Sequence, residues 1–456
     1  MKKRLTALLS ICMIVLTACG QAGGVPQGTP SNTDQSVASA TPETGEQADS
    51  AQSSETVTEP GEGSETTDAA AKTGETVIPY WTEDSEVMKS IVSYVGAVSN
   101  ESSEIFVPEE DRIAVFDFDG TLYGELFPTY FDETLLLHRV LHDDTFKADP
   151  ELLAYAEASE EAYMKGLPQP DTDISTSASL SDSFKGMTVD EYREYVRSFM
   201  KEPVWGFEGM TYGDGFYMPM ISLVQYLAEH GFKVFISSGS ERAMVRELIE
   251  GTLDEWIPSE RIIGSTYSMA ATGQGDEKAK SYTYKMDDQV LLEGQVVDKN
   301  QKMAKVISIV NEIGKPPVLV FGNSSGDLAM AQYAVQNGGR GYMLLCDDTE
   351  RDYGNLVTAE QFAKDCEKIG LETVSMKNDF ATIYKEGANK VVPQAWGEST
   401  ADESAVSAEV SADYESVNEE VPAGDESVNE EMPSADESVA EDTALVLHFL
   451  NGYIFC

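Results

Sequence analysis

The feature that most constrains this chain is the stretch of residues 113–121, which reads Ile-Ala-Val-Phe-Asp-Phe-Asp-Gly-Thr. Its leading apolar residues predict a short strand inside a parallel sheet, where both faces of a strand are covered. Open sheets of this kind bind their ligands at the carboxyl ends of the strands. Asp117 and Asp119 follow the apolar run one residue apart, so both side chains should point the same way at that edge. The simplest alternative is a strand that ends in an ordinary Asp-Gly turn.

Two carboxylates held this close require a positive charge nearby. Each charge raises the pKa of the other carboxyl group unless a cation neutralises them. Because Mg²⁺ takes oxygen ligands, the sequence predicts a magnesium site at this edge.

Residues 116–121, Phe-Asp-Phe-Asp-Gly-Thr, resemble the first motif of the haloacid dehalogenase superfamily in its phosphatase branch. The resemblance covers roughly residues 79–395. It implies that Asp117 is a nucleophile that takes up the phosphoryl group as an aspartyl-phosphate. It also implies that Asp119 protonates the leaving alkoxide and then activates water, while Thr121 helps to fix the loop.

The second motif of the family is a hydroxyl at the end of an apolar strand, and residues 234–240, Val-Phe-Ile-Ser-Ser-Gly-Ser, fit it. The resemblance favours Ser238, followed by Gly239, as the site that binds a phosphoryl oxygen beside a helix N-terminus. Ser237 is the competing candidate. Ser240 is predicted to cap the helix that follows.

The third motif is a lysine at the start of a helix that precedes the last core strand. Lys302 and Lys305 are both candidates, and residues 305–309, Lys-Val-Ile-Ser-Ile, resemble the family's pattern better. The preferred lysine, Lys305, would offset charge on the phosphoryl oxygens and on Asp117.

The fourth motif lies in residues 318–327, where the family usually shows Gly-Asp-x-x-x-Asp. This chain has Asn323 at the first acidic position and Asp327 at the second. The resemblance implies that Asp117, Asp119, Asn323 and Asp327 hold Mg²⁺. Asn323 removes one negative charge from that site, although an amide oxygen still ligates Mg²⁺. The change puts the affinity for the metal in question.

Strands that alternate with helices predict a doubly wound, Rossmann-like α/β core, with a parallel sheet covered on both faces. Between the first two motifs lies a mostly helical insertion, at about residues 124–212. Helical patterns cover residues 131–141 and about 150–165, and a capping box starts a further helix at Thr188. The insertion resembles the cap of phosphoserine phosphatase-like members, which would close over the sheet edge and exclude water.

Two glycine-containing segments also suggest local structure. Residues 206–215 are predicted to form a flexible hinge between cap and core. Residues 289–297 are predicted to form a β-hairpin around Gly294, because β-favouring residues flank a turn former.

Charge separates the ends of the chain from its middle. The 456 residues carry a net charge of −49, which argues against nucleic acid as a partner. There is no Lys or Arg between Arg4 and Lys72, and none after Lys390. With few large apolar residues, the flanks cannot bury enough surface to fold. Residues 19–78 are therefore predicted to be a disordered tether, and residues 396–456 an acidic low-complexity tail.

Residues 1–18 have the pattern of a bacterial lipoprotein signal peptide. A positive segment, Lys-Lys-Arg at residues 2–4, precedes an apolar run, and Leu-Thr-Ala-Cys at residues 16–19 resembles a lipobox. By that resemblance, Cys19 is lipidated after cleavage. Its acyl chains would anchor the protein to the membrane in the cell envelope, facing outside the cytoplasm.

Cys346 and Cys366 lie within the predicted domain. A disulfide between them is compatible with a compartment outside the cytoplasm, but their spacing does not establish one.

The four motifs, in order, predict a Mg²⁺-dependent phosphomonoesterase that acts on a small phosphate ester outside the cytoplasm. The sequence does not identify the substrate, because side chains of the cap would determine the specificity. One alternative is a nucleotide-preferring lipoprotein acid phosphatase of the same superfamily. The other is a surface-displayed binding lipoprotein that is catalytically weak or inactive.

Overall fold

The structure, a computed structural model, describes residues 77–125, 129–167 and 169–391. The described helices, in chain order, are α1 (Glu86–Ser99), α2 (Phe131–Leu141), α3 (Pro150–Lys165), α4 (Thr176–Ser183), α5 (Val189–Phe199), α6 (Met218–Glu229), α7 (Arg242–Leu248), α8 (Met303–Ser308), α9 (Leu328–Gln336), α10 (Leu356–Lys368) and α11 (Met376–Asp379). The described strands are β1 (Ile113–Phe116), β2 (Phe207–Glu208), β3 (Lys233–Glu241), β4 (Ile262–Ala271), β5 (Val290–Asp298), β6 (Leu319–Gly322), β7 (Arg340–Leu345), β8 (Glu372–Ser375) and β9 (Asn389–Lys390).

The strand predicted ahead of Asp117 is β1, at the centre of a seven-stranded sheet of order β5-β4-β3-β1-β6-β7-β8. All neighbouring strands are parallel except β5, which runs antiparallel to β4 at the edge. The chain builds outward from β1 first on one side and then on the other. The end of β1 is therefore the switch point where such sheets bind ligands. The predicted Rossmann-like α/β fold is confirmed, with one antiparallel edge strand added.

The apolar run in β1 follows from its position between two hydrophobic clusters. Ala114 and Phe116 pack into one cluster, and Ile113 and Val115 pack into the other. Phe116 stacks on Phe321 of the neighbouring strand β6, with ring centroids 4.4 Å apart. Because successive side chains of a strand point to opposite faces, covering both faces requires four apolar residues in a row.

Helices α2 to α5 form the insertion between β1 and β3, here called the cap. The predicted capping box at the start of α5 is present: the Glu191 backbone N–H donates to the Thr188 hydroxyl at 3.1 Å. In return, the Thr188 backbone N–H donates to the Glu191 carboxylate at 2.8 Å. Helix α4 was not predicted from the sequence, because its small polar residues show no clear apolar periodicity.

The cap contacts the core through charged and backbone groups. Arg193 and Arg197 of α5 pair with Glu247 of α7, whose side chain is fully buried. The backbone of Leu292 in β5 also bonds the cap: its N–H donates to Met187 at 2.9 Å, and its carbonyl accepts from Gly186 at 2.8 Å.

The predicted hairpin around Gly294 is wrong, because residues 290–298 form the single strand β5. The register with β4 shifts between the Tyr267–Val296 and Met269–Leu292 pairs, which leaves extra residues bulged on β5. Gly294 lies in this bulge at φ 81°, and a Cβ there would approach the Asp182 carboxylate to 2.9 Å. Gly294, which the sequence predicted to be a turn residue, therefore lies in a β-bulge beside α4.

Other predictions have mixed outcomes. Cys346 and Cys366 are free thiols, so the disulfide is not formed. Residues 206–215 include β2, which pairs with β9, and their role as a hinge stays a prediction. No helix in the described part of the chain is long and apolar enough to cross a membrane. The signal peptide, Cys19, nearly all of the tether and the acidic tail lie outside the described residues.

Candidate active site

The predicted site residues meet at the carboxyl edge of the sheet. Asp117 and Asp119 follow β1, Ser238 and Gly239 lie in β3, Lys305 lies in α8, and Asn323 and Asp327 follow β6. Their catalytic and metal-binding roles stay predictions, but their side chains form two hydrogen-bonded sets, one around Lys305 and one around Asp119.

Lys305 links two carboxylates in the interior. Its Nζ donates to Asp117 Oδ1 at 2.5 Å and to Asp327 Oδ1 at 2.6 Å. All three side chains are buried. Burial alone would lower the pKa of Lys305, but the charges of Asp117 and Asp327 raise it overall, so the ammonium stays charged.

One ammonium does not balance two buried carboxylates. Burial, together with the charge of Asp327, raises the pKa of Asp117 to about 8 despite the opposing effect of Lys305. The site is therefore short of positive charge, which is the condition under which a further cation binds favourably.

The structure places Lys305, rather than the other candidate Lys302, between these carboxylates. Lys302 directly precedes α8, with a positive φ of 52°. Lys305 lies in the first turn of that helix, where its side chain reaches the end of β1.

Asp119 has hydroxyl partners instead. Its Oδ2 accepts from Ser240 Oγ at 2.7 Å and from Ser238 Oγ at 3.4 Å. Burial and the charge of Asp132 raise the pKa of Asp119 to about 6, while the Ser240 hydrogen bond lowers it. Asp119 therefore retains a proton more readily than an exposed aspartic acid.

The expectation that Ser240 caps a helix is wrong. Helix α7 begins after Glu241, whose carboxylate caps it by accepting from the Met244 N–H at 2.9 Å. An irregularity in the β3–β4 register between Ser237 and Glu241 keeps the chain extended for longer. Ser240 consequently points at Asp119.

The strand geometry separates the two serine candidates of the second motif. Ser237 accepts a hydrogen bond from the Asn300 side chain at 3.1 Å, while the next residue, Ser238, faces Asp119. The Gly239 carbonyl accepts from Ser265 Oγ at 2.5 Å.

The loop after β6 fixes Asp327. Its Oδ2 accepts from the backbone N–H groups of Asn323 at 3.1 Å and Ser324 at 3.0 Å, and from the Ser324 hydroxyl at 3.0 Å. With Lys305 on Oδ1, this carboxylate is held by the backbone on one side and by the ammonium on the other.

Glu125 is a site residue that the sequence reasoning missed. Its Oε1 accepts from Asn323 Nδ2 at 2.6 Å and from the Tyr130 hydroxyl at 3.0 Å. Burial raises the pKa of Glu125 to about 7, against the lowering effect of these two hydrogen bonds. A lone charged residue in the otherwise apolar run of residues 122–128 was the available signal.

The donor set fits Mg²⁺. The Asp117 and Asp327 carboxylates, the Asn323 amide oxygen and, as the family resemblance implies, the backbone carbonyl of Asp119 are oxygen donors of the kind that this ion takes. Over the described residues, no three Asp, Glu, His or Cys side chains converge as a metal cluster.

Residues 114–332 match the family model described as haloacid dehalogenase-like hydrolase. A conserved protein of unknown function from Anaerococcus prevotii is similar in structure, with a TM-score of 0.40 and 15% identity over 68% of this chain and 95% of that one. A phosphoserine phosphohydrolase-like protein from Francisella tularensis has a TM-score of 0.30 and 16% identity, covering 58% of this chain and 94% of its own. A probable phosphoserine phosphatase from Vibrio cholerae has a TM-score of 0.28 and 15% identity, covering 52% of this chain and 58% of its own.

Structural similarities this distant do not establish a shared function. No curated protein is significantly similar to this chain in sequence. The family match supports the expected enzyme class, a hydrolase of the haloacid dehalogenase type, for residues 114–332.

Proposed function

We propose that the protein is a Mg²⁺-dependent phosphomonoesterase acting through an aspartyl-phosphate, in keeping with the match of residues 114–332 to the haloacid dehalogenase-like hydrolase model. The observation that carries this proposal is the contrast between two nearby carboxylates. Asp117 is bonded to Lys305, which also bonds Asp327, whereas Asp119 accepts hydrogen bonds from serine hydroxyls. One carboxylate is thus supported as a nucleophile and the other as an acid and base.

The chemistry follows from these two environments. A carboxylate oxygen of Asp117 bonds to phosphorus while the bond from phosphorus to the leaving oxygen breaks. Asp119 transfers its proton to that oxygen. Asp119, now ionised, then takes a proton from water, whose oxygen bonds to phosphorus and releases phosphate and free Asp117.

Positive charge is needed in each of these reaction steps. Lys305 would offset the charge of the phosphoryl oxygens as they approach Asp117. Asp117, Asn323 and Asp327, with the Asp119 carbonyl, would hold Mg²⁺, which supplies further neutralising charge. This positive charge is needed because the pKa of Asp117 is raised, whereas a nucleophilic carboxylate must be ionised.

The test is a screen of small phosphate esters against the purified protein, with and without Mg²⁺, beside Asp117→Asn as the matched control. We expect phosphate release from at least one ester that depends on both Mg²⁺ and Asp117. Equal release by the two proteins contradicts the assignment of Asp117 as the nucleophile. No release from any ester contradicts the proposal and favours the binding lipoprotein. Preference for nucleotides would favour the acid phosphatase alternative.

The proposed setting is the cell envelope, outside the cytoplasm, on the strength of the lipobox-like residues 16–19. Cys19→Ala should release the protein from the membrane fraction or block its processing. Unchanged processing and membrane association in fractionated cells would rule out lipidation at Cys19.

A further inference from the structure

We infer that Glu125 is a positioning residue that orients the Asn323 amide so that its oxygen faces the cation site. The inference rests on the proposed function, since it concerns the Mg²⁺ which that function requires. It assigns a role to a residue that lies eight positions after Asp117 and belongs to none of the four motifs.

The need for orientation comes from the amide itself. An aspartate offers an oxygen to a cation in either orientation, whereas an asparagine offers oxygen on one side and N–H donors on the other. If Asn323 were turned by half a rotation, its NH₂ group would face the cation and ligation would be lost. A chain with asparagine at this position therefore needs a partner that selects one orientation.

Glu125 supplies that selection. Its Oε1 lies 2.6 Å from Asn323 Nδ2 and accepts the hydrogen bond that the amide NH₂ group donates. The amide oxygen is consequently directed to the other side, where the Thr121 hydroxyl lies 3.5 Å from it. The same hydroxyl lies 3.5 Å from Asp117 Oδ2, so the amide oxygen is on the Asp117 side of the site.

The surroundings hold this pair in place. The Tyr130 hydroxyl donates to the same Glu125 oxygen at 3.0 Å, which fixes the carboxylate. Gly120 packs directly against the pair at φ 74°, and a Cβ there would lie 1.9 Å from Asn323 Nδ2 and 2.6 Å from Glu125 Oε1. The glycine of the first motif is thus needed for the approach of this amide and carboxylate.

The identities of the two side chains are therefore coupled. An aspartate at position 323 would place two carboxylates within hydrogen-bonding distance, and like charges this close cannot both ionise without a large penalty. Asn323 is a better partner for Glu125 than the acid usual in the family, and the structure predicts that metal binding depends on Glu125 only while residue 323 is an amide.

The experiment measures the Mg²⁺ dissociation constant by calorimetry for the full chain and a set of variants. Removal of a group that orients a metal ligand typically weakens affinity about 10- to 100-fold, and we expect Glu125→Ala to fall in that range. In an Asn323→Asp background, where the ligand needs no orientation, Glu125→Ala should leave the Mg²⁺ affinity unchanged. That difference between the two backgrounds would not follow if Glu125 served only to support the fold.

Glu133→Gln is the matched control. Glu133 also accepts from a tyrosine hydroxyl, at 3.1 Å from Tyr155, but it contacts none of the site residues. The Mg²⁺ affinity of the Glu133→Gln variant should equal that of the unmodified protein. Thermal unfolding without Mg²⁺ identifies any variant that fails to fold.

The outcomes separate this inference from the proposed function. If the unmodified protein binds Mg²⁺ and folded Glu125→Ala binds it equally well, Glu125 is not a positioning residue, while the phosphatase proposal stands. A loss of affinity on Glu125→Ala that is equally large in the Asn323→Asp background likewise overturns the coupling. If the unmodified protein does not bind Mg²⁺, both proposals fall together.

Discussion

Asp117 and Asp119 lie two residues apart on one loop, yet the two sides of the site around them are built differently. On one side, Asp117 and Asp327 share the buried ammonium of Lys305. On the other side, Asp119 bonds the hydroxyls of Ser238 and Ser240. Burial raises the pKa of both carboxyl groups, to about 8 for Asp117 and about 6 for Asp119. The proposed nucleophile is thus the group that depends more strongly on an added cation, even with a lysine beside it.

The largest effect should come from the charged side. Asp117→Asn keeps the shape of the side chain but removes the nucleophile, so turnover should fall to background. No phosphoryl-enzyme should be trapped after acid quenching with a labelled substrate. Substantial turnover in this variant would remove the distinction between the two carboxylates.

Asp119→Asn tests the other side. It removes proton transfer, which contributes roughly a hundred- to ten-thousand-fold in rate. The loss should shrink for esters with good leaving groups, which need no proton, and a comparison of aryl and alkyl phosphates measures this. An equal loss for both ester classes would argue that Asp119 acts in some other way.

Lys305→Met tests what the charged side contributes to stability. Removing one partner of a buried ion pair typically destabilises a protein by about 3–5 kcal/mol, because the remaining charges stay buried. Chemical denaturation should show a loss of this size, and Lys302→Met, outside the pair of carboxylates, should show much less. Similar losses for both lysines would mean that the ion-pair arrangement is not what stabilises this side.

Ser240→Ala should have the smallest effect. Hydrogen bonds to charged groups contribute roughly 1.5–3 kcal/mol to stability, and Ser238 remains as a weaker donor, so kcat should fall much less than in Asp119→Asn. Since the Ser240 hydrogen bond lowers the pKa of Asp119, its loss should move the Asp119 limb of the pH–rate profile to higher pH. Ser237→Ala, on the opposite face of β3, should leave that limb in place.

The sequence predicted the elements that follow local rules. The strand β1 and the residues at its end could be read because a strand covered on both faces must be apolar throughout. The capping box of α5 could be read because its two partners are three residues apart. Both features depend on neighbours in the sequence.

Features that depend on distant contacts could not be read. Ser240 resembled a helix cap, but the irregular β3–β4 register moved the start of α7 beyond it. Gly294 resembled a turn, but it accommodates a bulge against α4. Glu125 belongs to the site because it bonds Asn323, which lies 198 residues away in the sequence. No local pattern indicates such a contact.

The contacts between the cap and β5 have a consequence for how often the site is reached. Asp117 and Lys305 are almost fully buried, and the family resemblance implies that a substrate enters when the cap opens. Such an opening would break the hydrogen bond from the Leu292 amide to Met187. In heavy water, the deuterium uptake of this one amide would therefore report the opening frequency, and a substrate that holds the cap shut should slow it.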